Sequence, residues 1–404
     1  MIDYLSSLQE ARHRAPLITI VAVTLSTTFA VLPPLLLGAT SPLIRDEFFF
    51  DHTSLGLTVA LFFLVSAIAS PAGGFIVRWI GISGAITASA LVVLASLLTI
   101  GVASDSWGSL TALFALAGLG NALAQPAANE ALAYRIPQSR QGLAFGVKQA
   151  AIPFAALLAG LAIPTLALSF GWRTTFVVGS LLPILLLLPT FRLNLAASGS
   201  PPMIDKTRER RGMTLPLLTL AFGCGTAAAS CVAVFLIESA VADGIPLREA
   251  GALFAINSGL GIAARVTYGW AADRWEPRHF VFIAVLLGAG SLGAVALSFG
   301  TIHPLFWGGS VLAFVGGWSW NGLFNLAIVK SFPASPAVAT GIVLAGGFGG
   351  SALGPLSFGF LAENYSFQVA WLAVAGIAAV AAALMMGGRS ILARATDPGD
   401  EIRR

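Results

Sequence analysis

Long apolar runs recur through the chain, and their length constrains its fold more than any other feature. Hydrophobic residues make up 57% of the 404 residues and charged residues only 10%, whereas about 25% of residues are charged in soluble domains. Crossing the roughly 30 Å hydrocarbon core of a bilayer takes about 20 apolar helical residues. Without strand-like alternation, these runs predict an all-α membrane protein with twelve transmembrane helices. The runs lie near residues 16–41, 54–77, 82–103, 108–134, 141–168, 173–193, 214–238, 248–271, 279–300, 304–329, 338–362 and 367–388.

Basic residues lie almost entirely on one side of the predicted helices. Lys and Arg are retained in cytoplasmic loops, and a cytoplasmic N-terminus leaves only Arg45, Arg173 and Arg248 outside. Lys148 and Arg265 fall within predicted helices. We therefore expect a multi-pass protein of the cell membrane with both termini cytoplasmic. The net charge of +4 follows from this topology and does not indicate nucleic-acid binding.

One turn motif occurs twice. The segment "GGFIVRWIG", Gly73 to Gly81, is repeated in "YGWAADRWEPR", Tyr268 to Arg278, with Gly74 aligned to Gly269. Each copy follows the second of six helices, so the chain reads as two repeats of six helices. The predicted parts are an N-terminal six-helix bundle (1–194), a cytoplasmic linker (195–212) and a C-terminal six-helix bundle (213–404).

The two six-helix halves, the basic middle loop and the duplicated turn resemble the major facilitator superfamily of secondary transporters. The resemblance implies pseudo-symmetric halves that expose a central site to each side of the membrane in turn. It also implies that the duplicated turns latch the halves together on the cytoplasmic side. The first copy departs from the family pattern, because Arg78 stands at the acidic position that Asp273 fills in the second copy. The latch candidates are Gly74, Arg78, Gly81, Gly269, Asp273 and Arg274.

Amide side chains are concentrated in helices 4 and 10, which by this resemblance line the central cavity. Asn121, Gln125 and Asn129 recur every four residues and share one face of helix 4. Such amides either join neighbouring helices by hydrogen bonds or face water and ligand, and we favour the ligand. The predicted substrate-binding residues are Asn121, Gln125, Asn129, Lys148, Gln149, Asn257, Arg265, Trp320, Asn321 and Asn325.

Glu130, Lys148 and Arg265 are the ionisable residues that fall well inside the predicted helices. Each costs about 2.5–3.5 kcal/mol at the centre of a helix on insertion scales. The rise of an α-helix puts Lys148 and Arg265 about 12 Å below the cytoplasmic surface. They belong to helices 5 and 8, which the resemblance makes neighbours across the two halves. A shared anion would relieve the repulsion between these cations.

The arginine in "ARVTYGW" lies four residues before the glycine of the second turn. It is similar to the helix 8 arginine by which oxalate/formate and monocarboxylate transporters of the superfamily hold carboxylates. The resemblance implies that Arg265 binds a carboxylate, with Lys148 replacing the helix 11 lysine of the first group. In the alternative interpretation, Glu130 simply pairs with Lys148. The two can combine, because protonation of Glu130 would free Lys148 and couple transport to protons.

These features predict a secondary transporter of a small organic anion, with protons or a counter-anion as coupling ions. A proton-coupled exporter of drugs or other small molecules is the alternative, although the helix 4 arginine and helix 5 Gly-Pro of that subgroup are missing. A non-transporting sensor on the same fold is a third hypothesis. Without a nucleophile elbow, H-E-x-x-H or phosphate loop, we expect no enzyme, cofactor or metal. The expected partners are the lipid bilayer and the substrate, and the expected state is a monomer.

Overall fold

The computed structural model describes residues 2–137, 140–190, 214–274, 279–332 and 336–395. Within these ranges every regular element is helical. Eleven helices there are long and apolar enough to cross a membrane, and the shorter apolar helix Trp172–Leu187 makes a twelfth. The prediction of an all-α protein with twelve transmembrane helices is confirmed. The predicted linker, 195–212, lies outside the described residues, and the division into 1–194 and 213–404 stays a prediction.

The helices are numbered in chain order. They are α1 (Ile2–Phe48), α2 (His52–Val77), α3 (Trp79–Ala103), α4 (Trp107–Arg135), α5 (Gly142–Phe170), α6 (Trp172–Leu187), α7 (Thr214–Ala242), α8 (Leu247–Arg274), α9 (His279–Leu297), α10 (His303–Ser331), α11 (Pro336–Asn364) and α12 (Phe367–Ala395). Two are irregular, because α5 contains the π-helical turn Ile163–Ala167 and α10 contains Ala313–Trp318.

The first helix is longer than the sequence suggested. We expected it to end near residue 41, where polar residues begin, but it continues to Phe48. Thr40 and Ser41 are fully buried, and both hydroxyls are satisfied within the protein: Thr40 donates to the carbonyl of Leu36, and Ser41 donates to the side chain of Glu238. A polar residue at a span end is therefore part of the packed helix when its hydroxyl finds a protein acceptor.

Because an even number of antiparallel helices returns the chain to its starting side, the start of α1 and the end of α12 lie at one end of the bundle. We term this the termini end and the opposite end the far end. The first six helices meet the last six mainly through the pairs α1 with α7, α2 with α11 and α5 with α8, and α5 also contacts the second segment of α10. By contrast, α4 and α10 do not pack extensively against each other in the described ranges. The two amide-bearing helices therefore do not form one of the main contacts between the halves in the described ranges.

Helices α5 and α8 pack backbone to backbone along their length. A Cβ atom on Gly160 would lie 2.8 Å from the carbonyl oxygen of Gly251, and one on Gly146 would lie 3.1 Å from that of Arg265. Small residues at a helix interface allow this close approach in membranes. The α5–α8 contact therefore fixes the depth at which Lys148 and Arg265 enter the core.

Candidate functional site

Lys148, on α5, is a buried ammonium group held by amides of α4. Its side chain is 3% exposed, and Nζ donates to Gln125 Oε1 at 2.9 Å and Asn129 Oδ1 at 2.8 Å. Gln125 Nε2 donates to Asn121 Oδ1 at 3.3 Å, and Asn121 Nδ2 donates to Ser66 Oγ at 3.1 Å. Asn121 and Gln125 thus form a hydrogen-bonded chain along a face of α4 from Ser66 on α2 to Lys148, and Asn129 joins it through Lys148.

No carboxylate pairs with Lys148 among the described residues. Glu130 follows Asn129 on α4, is half-buried and is engaged in a contact of its own. The amide oxygens solvate the ammonium group, but they carry no net charge and leave its charge uncompensated.

Arg265, on α8, is the second buried cation, with 2% of its surface exposed. Its Nη1 donates to the main-chain carbonyl of Gln149, and its Nη2 donates to that of Trp318. The Nε group has no hydrogen-bond partner, and the guanidinium lies 5.4 Å from the centre of the Trp318 ring. Arg265 therefore links α5 of the first half to α10 of the second, again without a carboxylate.

Neither of the two main-chain carbonyls that accept from Arg265 has its usual N–H partner within a helix. The carbonyl of Gln149 would normally accept from the N–H four residues later, but that residue is Pro153, which has no N–H. Trp318 ends the π-helical turn of α10, and α-helical geometry resumes only at Asn321. Such breaks free main-chain carbonyls. The sequence thus creates two unpaired acceptors, and the guanidinium satisfies both.

Asn321 and Asn325 begin the second segment of α10 and lie one helical turn apart. They are 8% and 6% exposed, and the side-chain oxygen of each has no hydrogen-bond partner. Gly322 faces α5, since a Cβ atom there would lie 3.9 Å from Gln149 Cβ. Gln149 is itself 8% exposed. This part of α10 therefore lies beside the segment of α5 that carries Lys148 and the carbonyl bound by Arg265.

Two other predicted site residues lie in different surroundings. Trp320 is fully buried, contacts Phe222 and Phe324 edge to face, and donates from Nε1 to the Gly317 carbonyl at 2.8 Å. Its ring packs inside the second half. Asn257 donates to Ser310 Oγ at 2.8 Å and lines a crevice of about 480 Å³ between α8 and α10. The structure does not bring either side chain into contact with Lys148 or Arg265.

The second copy of the duplicated turn connects the halves at the termini end. Asp273 Oδ2 accepts a hydrogen bond from the main-chain N–H of Leu143 at 2.9 Å, in the first turn of α5. A carboxylate is favourable there because helix N-termini carry partial positive charge. Gly269 permits the approach, since a Cβ atom would lie 3.0 Å from the Gly142 carbonyl oxygen. Arg274 stacks over Trp270 in its own helix, at 4.2 Å.

The first copy of the turn is built differently. Gly81 has a φ of 75°, a left-handed conformation that suits glycine, and it interrupts the helical backbone at the start of α3. A Cβ atom on Gly74 would contact nothing within 4 Å. The side chain of Arg78, which the sequence analysis placed in the latch, lies outside the described part of the structure.

A cluster of charges at the far end escaped the sequence analysis. Arg45, His52, Glu238 and Glu363 meet there from α1, α2, α7 and α11. Glu238 is 2% exposed, yet it ends a predicted apolar run, where a charged residue normally faces solvent. The available signal was weak: Arg45 is one of three basic residues assigned to the outside, and Glu238 ends a predicted apolar run on that same side.

Comparison with known proteins agrees with this architecture. The sequence model of the Major Facilitator Superfamily matches residues 17–339, and a second match covers 218–401. Among solved structures, the bacterial homologue of the human lysosomal transporter Spinster, in an inward-facing and occupied conformation, aligns with a TM-score of 0.68 at 16% identity. That alignment covers 91% of this chain and 96% of the homologue, and at this identity it shows the fold alone.

A curated relative extends the comparison to a named activity. An MFS-type efflux pump of Mycolicibacterium smegmatis is 28% identical over 237 residues. The match covers 54% of this chain and 54% of the pump, so the chain spans about half the length of that relative. The family match covers most of the chain and agrees with the twelve helices and their arrangement. This chain belongs to the Major Facilitator Superfamily and is a multi-pass membrane protein.

Proposed function

We propose that the protein is a secondary active transporter of small organic anions, carboxylates in particular, working by alternating access. The observation that carries the proposal is the pair of buried cations, Lys148 and Arg265, neither of which has a carboxylate partner among the described residues. A buried charge is strongly unfavourable unless it is paired. A bound anion supplies the missing charge at the place where the two halves meet.

The geometry around Arg265 suggests how binding is linked to movement. Its two Nη groups are held by main-chain carbonyls of α5 and α10, which an incoming carboxylate can replace with a stronger, bidentate contact. Replacing them detaches Arg265 from one helix of each half. Anion binding would thereby favour a different arrangement of the halves, since a ligand shifts an equilibrium only through unequal contacts with its two states.

The chain of amides on α4 has a complementary role in this proposal. Asn129 and Gln125 keep Lys148 solvated when no anion is present, which lowers the free energy of burying an ammonium group. Asn321 and Asn325 add unpaired acceptors on the other half, suited to donor groups of the substrate. Glu130, next to Asn129, is the proposed proton-coupling residue. We place both termini in the cytoplasm and propose a monomer in the cell membrane.

The relative named an efflux pump favours a second candidate function, export of drugs or other small molecules. The two candidates differ in the charge of the substrate. A site with two uncompensated cations repels cationic drugs and attracts anions, which supports the proposal of an anionic substrate. Export of an anionic compound would reconcile both.

A thermal-unfolding screen of the purified protein tests the substrate class. The panel holds small carboxylates, aromatic acids, inorganic anions and cationic drugs. A ligand at 100 times its Kd adds about 2.7 kcal/mol to the free energy of unfolding, and we expect carboxylates to raise the unfolding temperature. Arg265→Gln should abolish that rise.

Arg248→Gln is the matched control, because Arg248 is an exposed arginine on the same helix. It should retain the full response to carboxylates. Stabilisation by cationic drugs alone, or an undiminished response in Arg265→Gln, would contradict the proposed function.

A further inference from the structure

The far-end cluster divides its charges between the two halves. Arg45 and His52 belong to the first half, and Glu238 and Glu363 belong to the second. Arg45 Nη1 lies 2.8 Å from Glu238 Oε1, and His52 Nδ1 lies 2.6 Å from Glu363 Oε2. The main-chain N–H of His52 also donates to Glu363, at 3.1 Å. These contacts hold α1 and α2 against α7 and α11, so they close the far end.

The hydrogen-bond pattern is that of a neutral His52 ring. Arg45 can only donate, and its Nη1 contacts His52 Nε2 at hydrogen-bonding distance. That contact requires a lone pair on Nε2, so the ring proton sits on Nδ1 and points to Glu363. In this state the cluster contains two carboxylates and one guanidinium, and one negative charge is uncompensated.

Glu238 offers an unused acceptor for a second proton. Its Oε2 accepts from Ser41 Oγ at 2.7 Å, whereas Oε1 forms an ion pair with Arg45 Nη1 at 2.8 Å and has acceptor capacity left. His52 Nε2 lies 3.4 Å from this Oε1. A proton on Nε2 would point at this buried carboxylate oxygen, which has more than one lone pair and can accept from the ring as well as face Arg45. It would also balance the charges of the cluster. A proton on Nε2 removes the lone pair that accepts from Arg45 and is opposed by the charge of that guanidinium, so Arg45 is then held by Glu238 alone.

The remaining groups around His52 do not oppose its protonation. From α12, the ring of Phe367 meets the imidazole edge to face at 5.0 Å and carries no charge. Asp51 precedes His52, and its side chain accepts from the N–H of Ser54 at 2.7 Å. Partial burial raises the pKa of the Asp51 carboxyl, but the hydrogen bonds from Ser54 outweigh burial and hold that pKa below its ordinary value. Asp51 thus stays ionised and adds negative charge near the ring.

We propose that His52 and Glu238 form a proton-binding site that controls the far end: a proton taken up by His52 Nε2 from the far-side solution tightens the contact between the halves. Protonation and closure favour each other, because the charged ring gains Glu238 only when the halves are together. Loss of the proton leaves a net negative cluster and favours opening. The proposal rests on the proposed function only in treating the far end as a gate of an alternating-access transporter.

Spin-label distance measurements across the far end test this site without any substrate. The labels are attached to F49C and Y365C, because Phe49 and Tyr365 are 90% and 69% exposed and belong to opposite halves. The native cysteines are replaced by C224S and C231A. In lipid nanodiscs, the population with short distances should grow as the pH falls from about 8 to about 5, the range in which histidine titrates.

Two substitutions of His52 distinguish an effect of its protonation from a general disturbance of the fold. His52→Gln should lose the pH dependence, and His52→Lys, with a permanent positive charge, should keep the short distance throughout. His303→Gln is the control, because His303 is an exposed far-end histidine of the second half, and it should behave like the parent protein. Unchanged pH dependence in His52→Gln, or far-end opening at low pH, would overturn the proposal. These measurements use neither Arg265 nor a carboxylate substrate, so the proton-binding site and the proposed function can fail independently.

Discussion

Arg265 donates to the main-chain carbonyl of Gln149, which has no helical partner because Pro153 follows four residues later. The proline on one half thus creates the acceptor that anchors a charge from the other half. In most helices such a carbonyl is left to water or a hydroxyl. Here it fixes the side chain that we propose to bind the substrate, so changes in α5 that leave every charge in place should alter binding.

Pro153→Ala tests this relationship directly. The variant restores an N–H that can bond Gln149 internally, so the carbonyl competes less for the guanidinium. We expect carboxylates to bind a few-fold more tightly, since about 1 kcal/mol is a typical net hydrogen-bond contribution. Calorimetry gives the Kd. Pro71→Ala, at an exposed proline within α2, should leave the Kd unchanged, and weaker binding in Pro153→Ala would argue against competition by the carbonyl.

The two cations should respond differently to exchange of Arg and Lys. Arg265→Lys loses the planar fork that grips a carboxylate with two hydrogen bonds, and we expect affinity to fall about 10- to 100-fold, equivalent to roughly 1.4–2.8 kcal/mol. Lys148→Arg keeps a donor and a charge and should lose only a few-fold. Titration of each variant with the best carboxylate of the screen gives both values. Equal losses would show that Arg265 contributes charge alone.

A double substitution tests whether Lys148 serves only to balance the charge of Glu130. If Lys148 only balanced Glu130, Lys148→Gln combined with Glu130→Gln would restore the transport that Lys148→Gln loses. We expect the double variant to stay inactive, because in the structure Lys148 contacts Gln125 and Asn129. Uptake into proteoliposomes is the measurement, with protein reconstitution checked for each variant. Recovery of transport would favour the pairing interpretation.

Close packing of α5 on α8 predicts a large stability effect from one methyl group. In Gly160→Ala the added Cβ would lie 2.8 Å from the Gly251 carbonyl oxygen, and overpacking of this kind costs about 1–3 kcal/mol. The thermal unfolding midpoint in detergent should fall. Gly259→Ala, on α8, has no atom within 4 Å of the new methyl group and should unfold at the parent temperature or slightly above. A midpoint unaffected by Gly160→Ala would mean that the helices can separate at no cost.

The orientation in the membrane is open to chemical labelling. In a background without native cysteines, Phe49→Cys at the far end should react with a membrane-impermeant maleimide in intact cells. Ser200→Cys, in the predicted linker, should react only after the cells are permeabilised. The opposite pattern would invert the topology predicted from the basic residues.

Composition and periodicity were sufficient for the fold, because each bilayer-spanning run must satisfy its own backbone hydrogen bonds and can do so only as a helix. The same reasoning placed Asn121, Gln125 and Asn129 on one face, since helical geometry alone decides that. It could not say what the face meets. One interpretation of the amides expected hydrogen bonds to neighbouring helices, and the other, which we favoured, expected water or ligand. In the structure the amides bond to Ser66 on α2 and to Lys148 on α5.

Other features of the candidate site and of the far-end cluster depend on contacts between helices, which the spacing of residues in the sequence does not predict. The Arg265 interaction requires two irregular carbonyls, one visible in the sequence as Pro153 and one arising in the π-helical turn that ends at Trp318. Glu238 looked like a residue at a span end, because its burial depends on Ser41, Arg45 and His52 from the other half. Trp320 was grouped with the ligand by its position on α10, but its ring packs on Phe222 and Phe324 within its own half.

The division of charge at the far end also bears on how the chain assembles. Two copies of the first half, placed face to face, would set Arg45 and His52 against themselves, and two copies of the second would oppose Glu238 and Glu363 in the same way. Like charges in contact disfavour a wrong partner as effectively as complementary charges favour the right one. The far-end cluster therefore distinguishes the two halves of a repeated architecture. If the halves were made as separate polypeptides, each would bind the other in preference to a second copy of itself.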